Sequence, residues 1–459
     1  MASEPQAAGY TADTPIAALS GWLGDAVRPA EFPSHTLHFR NDRWATATGL
    51  AGLSDDAWIG HFGRFEPLPD NLPQPLALRY HGHQFRNYNP DIGDGRGFLF
   101  AQLRDSQGRL LDLGTKGSGQ TPYSRDGDGR LTLKGAVREI LATEMLEVLG
   151  VNTSKTFSVI ETGEELWRND EPSPTRSAVL VRLSHGHIRI GTFQRLAAYR
   201  ESDQMAQLIA YCLDTFPGSE PPDDAPDRDD PAVILMHQVV ERMADLAASY
   251  MVAGFVHGVL NSDNMNISGE SFDYGPWRWL PQWDPAFTAA YFDHSGLYSF
   301  GRQPEAIHWN CAQLAISLRL LVESEPLIAA LECFGDLYQQ AMIRRFCWRL
   351  GVEPRSAEED TALIAAAEQH MREAEIGPDT FFFRHRGGRD RPAGEFGDLL
   401  GSYASKGGNH PLWQQDAAPS LVIDEVERIW SAIDLSDDWQ PLAEKVNEIR
   451  VLGDALNDA

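Results

Sequence analysis

One segment of this 459-residue sequence is more informative than the rest: it reads His257-Gly258-Val259-Leu260-Asn261-Ser262-Asp263-Asn264, followed by Asp273-Tyr274-Gly275. The segment comes directly after a long predicted helix that ends at Gly254. Asn264 and Asp273 offer hard oxygen ligands of the kind that hold magnesium or manganese against nucleotide phosphates. Taken alone, the same residues also fit a polar turn that follows a helix.

The spacing within this segment follows that of a protein-kinase catalytic loop. Such a loop reads His-Arg-Asp, with a metal-binding Asn five residues after the Asp, and then Asp-Phe-Gly. His257 and Asn264 keep that register, and Asp273 begins the triplet that replaces Asp-Phe-Gly. Val259 occupies the position of the catalytic aspartate and cannot accept a proton. Either catalysis has been lost or another carboxylate has taken the role, and Asp263 is the nearest candidate.

Two glycine-rich turns and one predicted helix lie upstream. In Gly93-Asp94-Gly95-Arg96 the glycines let backbone N–H groups approach a phosphate, and the arginine adds a permanent charge, although such a turn is often only a turn. Lys116 leaves the end of a strand, and Glu139 follows within a predicted helix over 134–149. A strand lysine paired with a helix glutamate orients nucleotide phosphates in kinases. On their own, these two residues could equally be unrelated surface charges.

Two arginines form a third cluster. Arg182 and Arg189 flank a polar turn at residues 184–187 and lie in apolar runs that predict strands at 178–183 and 188–190. In two hairpin strands of matching parity, both guanidinium groups share one face and can clamp a polyphosphate. The alternative is an exposed polar face of the hairpin.

Periodicity divides the chain into a β-rich first part and a helical second part. Residues 30–75 predict irregular structure, and residues 214–231, with seven acidic residues and five prolines, predict an exposed loop. We predict an α+β, protein-kinase-like bilobed fold: residues 1–200 form an N-terminal extension and nucleotide-binding N-lobe, and residues 201–459 form a helical C-lobe with the catalytic loop. Further strands are predicted at 98–103, 110–113 and 157–160, and helices at 233–253, 313–323, 326–350 and 358–375.

Composition excludes several classes of protein. A net charge of −27 argues against binding to nucleic acid or to anionic membranes, which both need a basic surface. No apolar run approaches the ~18 residues needed to span a bilayer. The first basic residue is Arg28, so a basic secretory or transit leader is not expected. The four cysteines lack metal-site spacing and predict buried thiols, so we expect a cytoplasmic protein.

Together these segments resemble the selenoprotein O family of protein adenylyltransferases, whose bacterial members mostly lack selenocysteine. The resemblance covers residues 80–312 and weakens over the last hundred residues, so no role is predicted for the helical tail. It rests on Tyr80-His81-Gly82-His83-Gln84-Phe85, Gly93-Asp94-Gly95-Arg96, Lys116-Gly117-Ser118-Gly119-Gln120-Thr121-Pro122-Tyr123-Ser124-Arg125, Arg138-Glu139-Ile140-Leu141, residues 254–265 and Asp273-Tyr274-Gly275-Pro276.

The resemblance implies a kinase-like fold that binds ATP in a flipped orientation, with the α-phosphate facing an attacking hydroxyl and pyrophosphate as the leaving group. It implies that Asp263 accepts the proton, that Asn264 and Asp273 bind Mg²⁺ or Mn²⁺, and that Glu139 pairs with Lys116. The implied ATP contacts are Gly93, Gly95, Arg96, Lys116, Asp128, Gly129, Arg182, Arg189 and Asp273.

The leading hypothesis is therefore transfer of AMP from ATP to Ser, Thr or Tyr hydroxyls of protein substrates. One alternative is an ATP-dependent phosphotransferase that uses Asp263 as its base. The other is an inactive nucleotide-binding scaffold. Asp273, as a loop carboxylate, is expected to contribute little to the stability of the fold.

Overall fold

A computed structural model of the chain describes residues 9–169 and 171–458. The first eight residues of the predicted N-terminal domain lie outside the described residues, as do Asp170 and Ala459. The strands are Thr11–Ala12 (β1), Gly24–Ala26 (β2), Thr36–Arg40 (β3), Leu76–Leu78 (β4), Gly82–Gln84 (β5), Asn87–Asn89 (β6), Leu99–Arg104 (β7), Leu110–Lys116 (β8), Leu131–Thr132 (β9), Lys155–Leu166 (β10), Thr175–Ser184 (β11), Phe255–Val256 (β12) and Arg278–Trp279 (β13).

Helices dominate the second part of the chain, in agreement with the predicted division into a β-rich and a helical part. They are Ser20–Leu23 (α1), Asp42–Ala47 (α2), Asp55–Phe62 (α3), Leu133–Val148 (α4), Ile190–Tyr199 (α5), Ser202–Thr215 (α6), Pro231–Ala253 (α7), Gln303–Leu318 (α8), Ser324–Glu332 (α9), Phe334–Leu350 (α10), Ala357–Glu373 (α11), Pro378–His385 (α12), Glu395–Leu400 (α13), Ile423–Ser436 (α14) and Gln440–Asn457 (α15).

The main sheet is antiparallel and runs in the order β2-β4-β7-β8-β11-β10-β3, with β1 beside β7 and β9 beside β11. In the pairing of β8 with β11, Lys116 lies opposite Leu180 and Gly114 lies opposite Arg182. Side chains two residues apart on a strand share a face, so Lys116 and Arg182 project from the same side of the sheet. That side faces α4 and the second lobe.

Both faces of the sheet are buried. On one face Val179 and Val181 of β11 pack in a core with Trp58 and Phe62 of the N-terminal extension. On the other face Leu180 joins the core formed by α4 and the helices of the second lobe. The alternation follows from the period of two in strand side chains, and it explains why β11 is buried along nearly its whole length.

The predicted helix over 134–149 is observed as α4, one residue earlier at each end. Its first turn is capped by Thr132, whose hydroxyl accepts a hydrogen bond from the backbone N–H of Gly135 at 3.1 Å. The predicted helix over 326–350 is instead two helices, α9 and α10, which meet at Cys333. The expectation of irregular structure over 30–75 is wrong, because β3 completes the sheet and α2 and α3 cover one of its faces.

Helix α7 is the centre of the helical part. The carboxylate of Asp230 caps it by accepting from the N–H of Ala232 at 2.8 Å, and Pro231 occupies its first turn. The helix ends at Gly254 and delivers the chain into β12 and the loop that begins at His257. Before α7, residues 216–230 form no helix or strand and are mostly exposed.

The last two helices return to the β-rich lobe. Helix α15 packs along α4, and α14 contacts both α4 and α15. Across the described ranges, 9–169 and 171–458, no helix is both long and apolar enough to cross a membrane.

Candidate active site

A cleft of about 870 Å³ lies between the sheet and the loops that follow α7. Most of the residues singled out in the sequence lie in its wall, and Glu139 lies buried behind it. The wall includes Gly93, Gly95, Arg96, Lys116, Asp128, Gly129, Arg182, Arg189, Val259, Asp263, Asn264 and Asp273.

The glycine-rich turn forms one wall of the cleft against the loop around Tyr123. A Cβ placed on Gly93 would lie 2.5 Å from Cγ of the Tyr123 ring, so only glycine fits there without movement of the ring. Asp94 turns inward, where its carboxylate accepts from the N–H of Leu78 at 3.0 Å and pairs with Arg189 at 3.2 Å. Burial raises the pKa of Asp94, although the charge of Arg189 opposes this effect.

Lys116 and Glu139 form a buried ion pair, with Nζ 2.6 Å from Oε2 and side chains that are 3% and 1% exposed. The Lys116 ammonium also donates to the carbonyl oxygen of Tyr274 at 3.3 Å. Burial lowers the pKa of Lys116, and the charge of Glu139 works against that shift. The alternative of two unrelated surface charges is therefore wrong, and α4 delivers its glutamate to the end of β8.

Asp273 is the hub of the charged cluster. Its two carboxylate oxygens lie 2.9 Å from Arg182 and 2.8 Å from Arg189, and Lys116 is 4.0 Å away. Burial alone would raise the pKa of Asp273, but the three cations outweigh burial and hold that pKa well below its ordinary value. The residue also has a φ of +61°, in the left-handed region. Asp273 therefore lies among three cations as their shared counter-ion, and its effect on the stability of the fold stays a prediction.

Arg182 and Arg189 converge as expected, but not from two hairpin strands. The predicted strand at 188–190 is wrong: β11 ends at Ser184, and Arg189 is the residue before α5. The turn between them is held by Glu270, which accepts from the backbone N–H of His185 at 2.8 Å and contacts its ring nitrogen Nδ1 at 2.8 Å. This long-range contact places the chain beside the catalytic loop, where the backbones of Arg189 and Asn266 form an isolated antiparallel β-bridge.

Asp263 and Asn264 lie together in a single turn of 3-10 helix, Ser262–Asn264. Asp263 is buried, and its Oδ1 has no hydrogen-bond partner within the part of the chain that the structure describes. Burial raises the pKa of Asp263 to about 6. Arg189 donates to the backbone oxygen of Asp263 at 2.8 Å, and the Asn264 amide nitrogen donates to the oxygen of Val259 at 2.9 Å. These contacts fix the loop, and the amide oxygen of Asn264 is the atom of this side chain that could bind a metal ion.

The short hairpin of β5 and β6 braces this loop from outside. The N–H of His83 donates to the Ser262 hydroxyl at 2.7 Å, and the N–H of Phe85 donates to Asn261 Oδ1 at 3.0 Å. Gln194 links the two, because its amide contacts His83 at 2.7 Å and accepts from Ser262 at 2.6 Å. The sequence did not predict that Asp94 pairs with Arg189 or that Gln194 links the hairpin to the loop. The hairpin itself entered the sequence analysis only through residues 80–85, one of the motifs that carry the family resemblance.

Asp128 and Gly129 lie at the outer lip of the cleft. Arg168 forms a forked pair with the Asp128 carboxylate, with N–O distances of 2.8 and 3.2 Å. The Asp128 side chain is 49% exposed, so this pair contributes little to stability. The lip is thus open to solvent, whereas the cations Lys116, Arg182 and Arg189 are buried at the inner end.

The donor atoms of the inner cleft fit a hard divalent cation. Asn264 and Asp273 present an amide and a carboxylate to the same cleft, and Mg²⁺ in proteins is commonly bound through one or two such groups together with substrate phosphates. Among residues 9–169 and 171–458, no three His, Cys, Asp or Glu side chains cluster as a metal site. A site completed by phosphate oxygens agrees with both observations.

A strand lysine, a helix glutamate, an asparagine in the catalytic loop and an aspartate after it converge on one cleft, which is the arrangement of a protein-kinase-like scaffold. Among solved structures, the chain is similar to ROP2 from Toxoplasma gondii, which is described as a virulence factor with a protein-kinase fold and no enzymatic activity. The two sequences are 10% identical. The match covers 68% of this chain and 90% of ROP2, with a TM-score of 0.29.

Sequence comparisons give much stronger matches. The chain is 43% identical to the protein nucleotidyltransferase YdiU of Synechococcus elongatus, over 96% of this chain and 95% of that protein. It is 40% identical to the protein of the same name from Synechocystis, over 96% and 98% of the two chains. The family model described as protein adenylyltransferase SelO matches residues 11–390. The chain therefore belongs to the SelO family of protein nucleotidyltransferases.

Proposed function

We propose that this protein transfers AMP from ATP to a Ser, Thr or Tyr hydroxyl of protein substrates and releases pyrophosphate. The proposal rests mainly on two positions of the catalytic loop: the position of the kinase base lacks a carboxylate, and a later position supplies one. Val259, at the kinase base position, lines the cleft as an apolar side chain, whereas Asp263 places a buried carboxylate in the same cleft. Membership in a family named for adenylyl transfer supports the choice of AMP.

The buried cations supply the binding site for the polyphosphate. Lys116, Arg182 and Arg189 approach from two strands and from the residue before α5, and each is less than 10% exposed. Guanidinium groups bind phosphate oxygens in forked pairs, and these pairs are strongest where water is excluded. We infer that the cluster holds the phosphates that leave, because charge accumulates on pyrophosphate as the reaction proceeds.

The proposed chemical step is a single displacement at the α-phosphorus. The substrate hydroxyl oxygen forms a bond to the α-phosphorus, and the bond from that phosphorus to the bridging oxygen of the β-phosphate breaks. The electron pair leaves with pyrophosphate, and the hydroxyl proton passes to the Asp263 carboxylate. A base whose pKa is about 6 is largely ionised at neutral pH and still able to accept a proton.

We propose Mg²⁺ or Mn²⁺ as the cofactor, held by Asn264 and Asp273 together with phosphate oxygens. When bound, the ion would neutralise charge on the phosphates and polarise the phosphorus. Asp273 would then share its carboxylate between the ion and the two arginines.

The protein is proposed to work in the reducing environment of the cytoplasm. Cys212, Cys311 and Cys347 are buried, Cys333 is partly buried, and all four are free thiols. Buried free thiols are typical of proteins from reducing compartments.

Parallel reactions with ATP labelled at the α- or the γ-phosphate test the function directly. The protein is incubated with a protein mixture and Mg²⁺ or Mn²⁺, and label on acid-precipitated protein is measured. Label from the α-position alone, absent in the Asp263→Ala variant, is the expected result. Label from the γ-position alone would establish a phosphotransferase, and label from neither, with ATP bound, would establish a scaffold.

A further inference from the structure

The C-terminal helices α14 and α15 pack against α4, the helix that carries Glu139. Arg450 of α15 forms a fork on the Glu144 carboxylate, with N–O distances of 2.9 and 2.8 Å. The Glu144 side chain is 2% exposed, and the amide of Asn41 also donates to it at 3.4 Å. A bidentate pair that is shielded from water on one side fixes both the distance and the orientation of its partners.

Two further contacts hold the same helix. At Gly453 the two helices approach so closely that a Cβ there would lie 2.8 Å from Cγ1 of Val148. At the other end of α4, Lys134 pairs with Glu427 of α14 at 2.7 Å. Helix α4 is therefore held by the tail at its first, third and last turns.

The tail is itself anchored on both lobes. In the helical lobe, the buried Arg386 donates to the backbone oxygen of Leu456 at 2.9 Å. On the β-rich lobe, Arg176 of β11 pairs with Asp437 at 2.9 Å, and the ring of His38 stacks on Trp439 with centroids 3.8 Å apart. The position of α4 relative to the helical lobe is thus set through α14 and α15 as well as through the chain connections.

The position of α4 matters because Glu139 has little freedom. Its carboxylate lies 2.6 Å from Lys116 and 3.9 Å from Arg182, within the cluster proposed to bind phosphates. Displacing a catalytic constellation by about 1 Å can cost ~10²-fold in rate even when the change lies far from the chemistry. A tail that is tied to both lobes prevents such a displacement.

We propose that the C-terminal helices are positioning elements for the active site, and that Arg450, acting through Glu144, holds α4 where Glu139 can orient Lys116. The proposal rests on the proposed function, because it assigns the Lys116–Glu139 pair to the orientation of the ATP phosphates. It gives a role to the part of the chain beyond residue 390, which the family model does not match.

The variant Arg450→Ala tests the proposal in the full-length protein. We expect kcat for AMP transfer to fall ~10- to 100-fold. The Kd for ATP should change by less than about threefold, because Asp273, which lies outside α4, holds Arg182 and Arg189 at 2.9 and 2.8 Å. Arg428→Ala is the matched control: this arginine of α14 is 58% exposed and pairs with Glu425 of its own helix, so kcat should not change.

An engineered disulfide between α4 and α15 tests whether holding α4 in place restores the activity lost in Arg450→Ala. A Cβ on Gly453 would lie 3.1 Å from Cβ of Val148, a few tenths of an ångström below the ~3.5–4.5 Å that disulfides span. In the triple variant Val148→Cys, Gly453→Cys and Arg450→Ala, oxidation should restore most of the lost kcat, and reduction should remove it again. Failure of the closed disulfide to restore kcat would overturn the positioning role.

Hydrogen–deuterium exchange of residues 133–148 separates this proposal from the proposed function. Exchange in α4 should rise in Arg450→Ala and stay at the wild-type level in Arg428→Ala, whether or not AMP transfer is detected. If the wild-type protein transfers no label, the proposed function fails while this measurement still decides whether the tail holds α4. Unchanged exchange in Arg450→Ala, or unchanged kcat in a protein that is active, would overturn the proposal.

Discussion

Replacement of Asp273 exposes how much of the cleft depends on one carboxylate. The variant Asp273→Asn keeps the shape of the side chain and removes its charge. Arg182 and Arg189 then lose the carboxylate that lies 2.9 and 2.8 Å from them, and Lys116 keeps its ion pair with Glu139. Glu139 would remain beside Lys116 and 3.9 Å from Arg182, and Asp94 would remain beside Arg189, but Arg182 would have lost its nearest anion in the absence of nucleotide.

The size of the effect follows from the cost of an unpaired buried charge. Removing one partner of a buried ion pair costs about 3–5 kcal/mol, and the Asp273 side chain is 23% exposed, which favours the lower end. A loss of about 3 kcal/mol lowers Tm by ~3 °C if all 459 residues unfold together, at ~2.1 cal/mol/K of unfolding entropy per residue. If only a lobe of roughly 200 residues unfolds, the fall is ~7 °C.

Differential scanning fluorimetry without nucleotide or metal measures this shift. Asp128→Asn is the matched control, since Asp128 lines the same cleft and pairs with one arginine at 2.8 Å but is 49% exposed. Its Tm should fall by less than ~1 °C. Added pyrophosphate should raise the Tm of Asp273→Asn more than that of the wild type, because the anion replaces the missing charge. An unchanged Tm for Asp273→Asn would refute the idea that Asp273 holds the cluster together.

Three further predictions concern single residues of the site. Asp263→Ala should lower turnover ~10²- to 10⁴-fold and leave ATP binding by calorimetry intact; full turnover would place the base elsewhere. Glu139→Gln should lower the free energy of unfolding in urea by ~3–5 kcal/mol, because it leaves the buried Lys116 ammonium without its partner. The double variant with Lys116→Met should lose less stability than the sum of the two single variants, because the ammonium is then absent. Strictly additive losses would contradict the buried pair. Gly93→Ala should lower the free energy of unfolding by ~1–3 kcal/mol, because the added Cβ meets the Tyr123 ring. Gly275→Ala is the control: no atom lies within 4 Å of its added Cβ, so stability should not change. Equal losses in the two variants would contradict the close approach at Gly93.

Local patterns sufficed for the elements whose stability is local. Helix α4 was predicted to within one residue at each end because its apolar positions repeat at three and four residues. The core of β11 was predicted from its apolar run. The spacing of His257, Asn264 and Asp273 indicated a catalytic loop, and the structure places Asn264 and Asp273 in one cleft.

Long-range contacts account for what the sequence did not predict. Arg189 sits before α5 instead of on a strand because Glu270, far along the chain, anchors the preceding turn. Strand β3 is short and half-buried and exists because it completes an edge of the sheet beside β10. The ion pairs of Asp273 join three separate segments, and no periodicity in a single segment records such a meeting.

The burial of the positive charge at the bottom of the cleft should affect the rate at which ATP, the proposed substrate, associates. From a distance, an incoming nucleotide meets a protein of net charge −27 and is repelled; only within the cleft does it meet the buried cations. Moderate salt screens the distant repulsion over ~10 Å but hardly reaches contacts from which water is excluded. The association rate constant for ATP should therefore rise as salt is added, the reverse of the trend for enzymes that steer nucleotides with a basic surface.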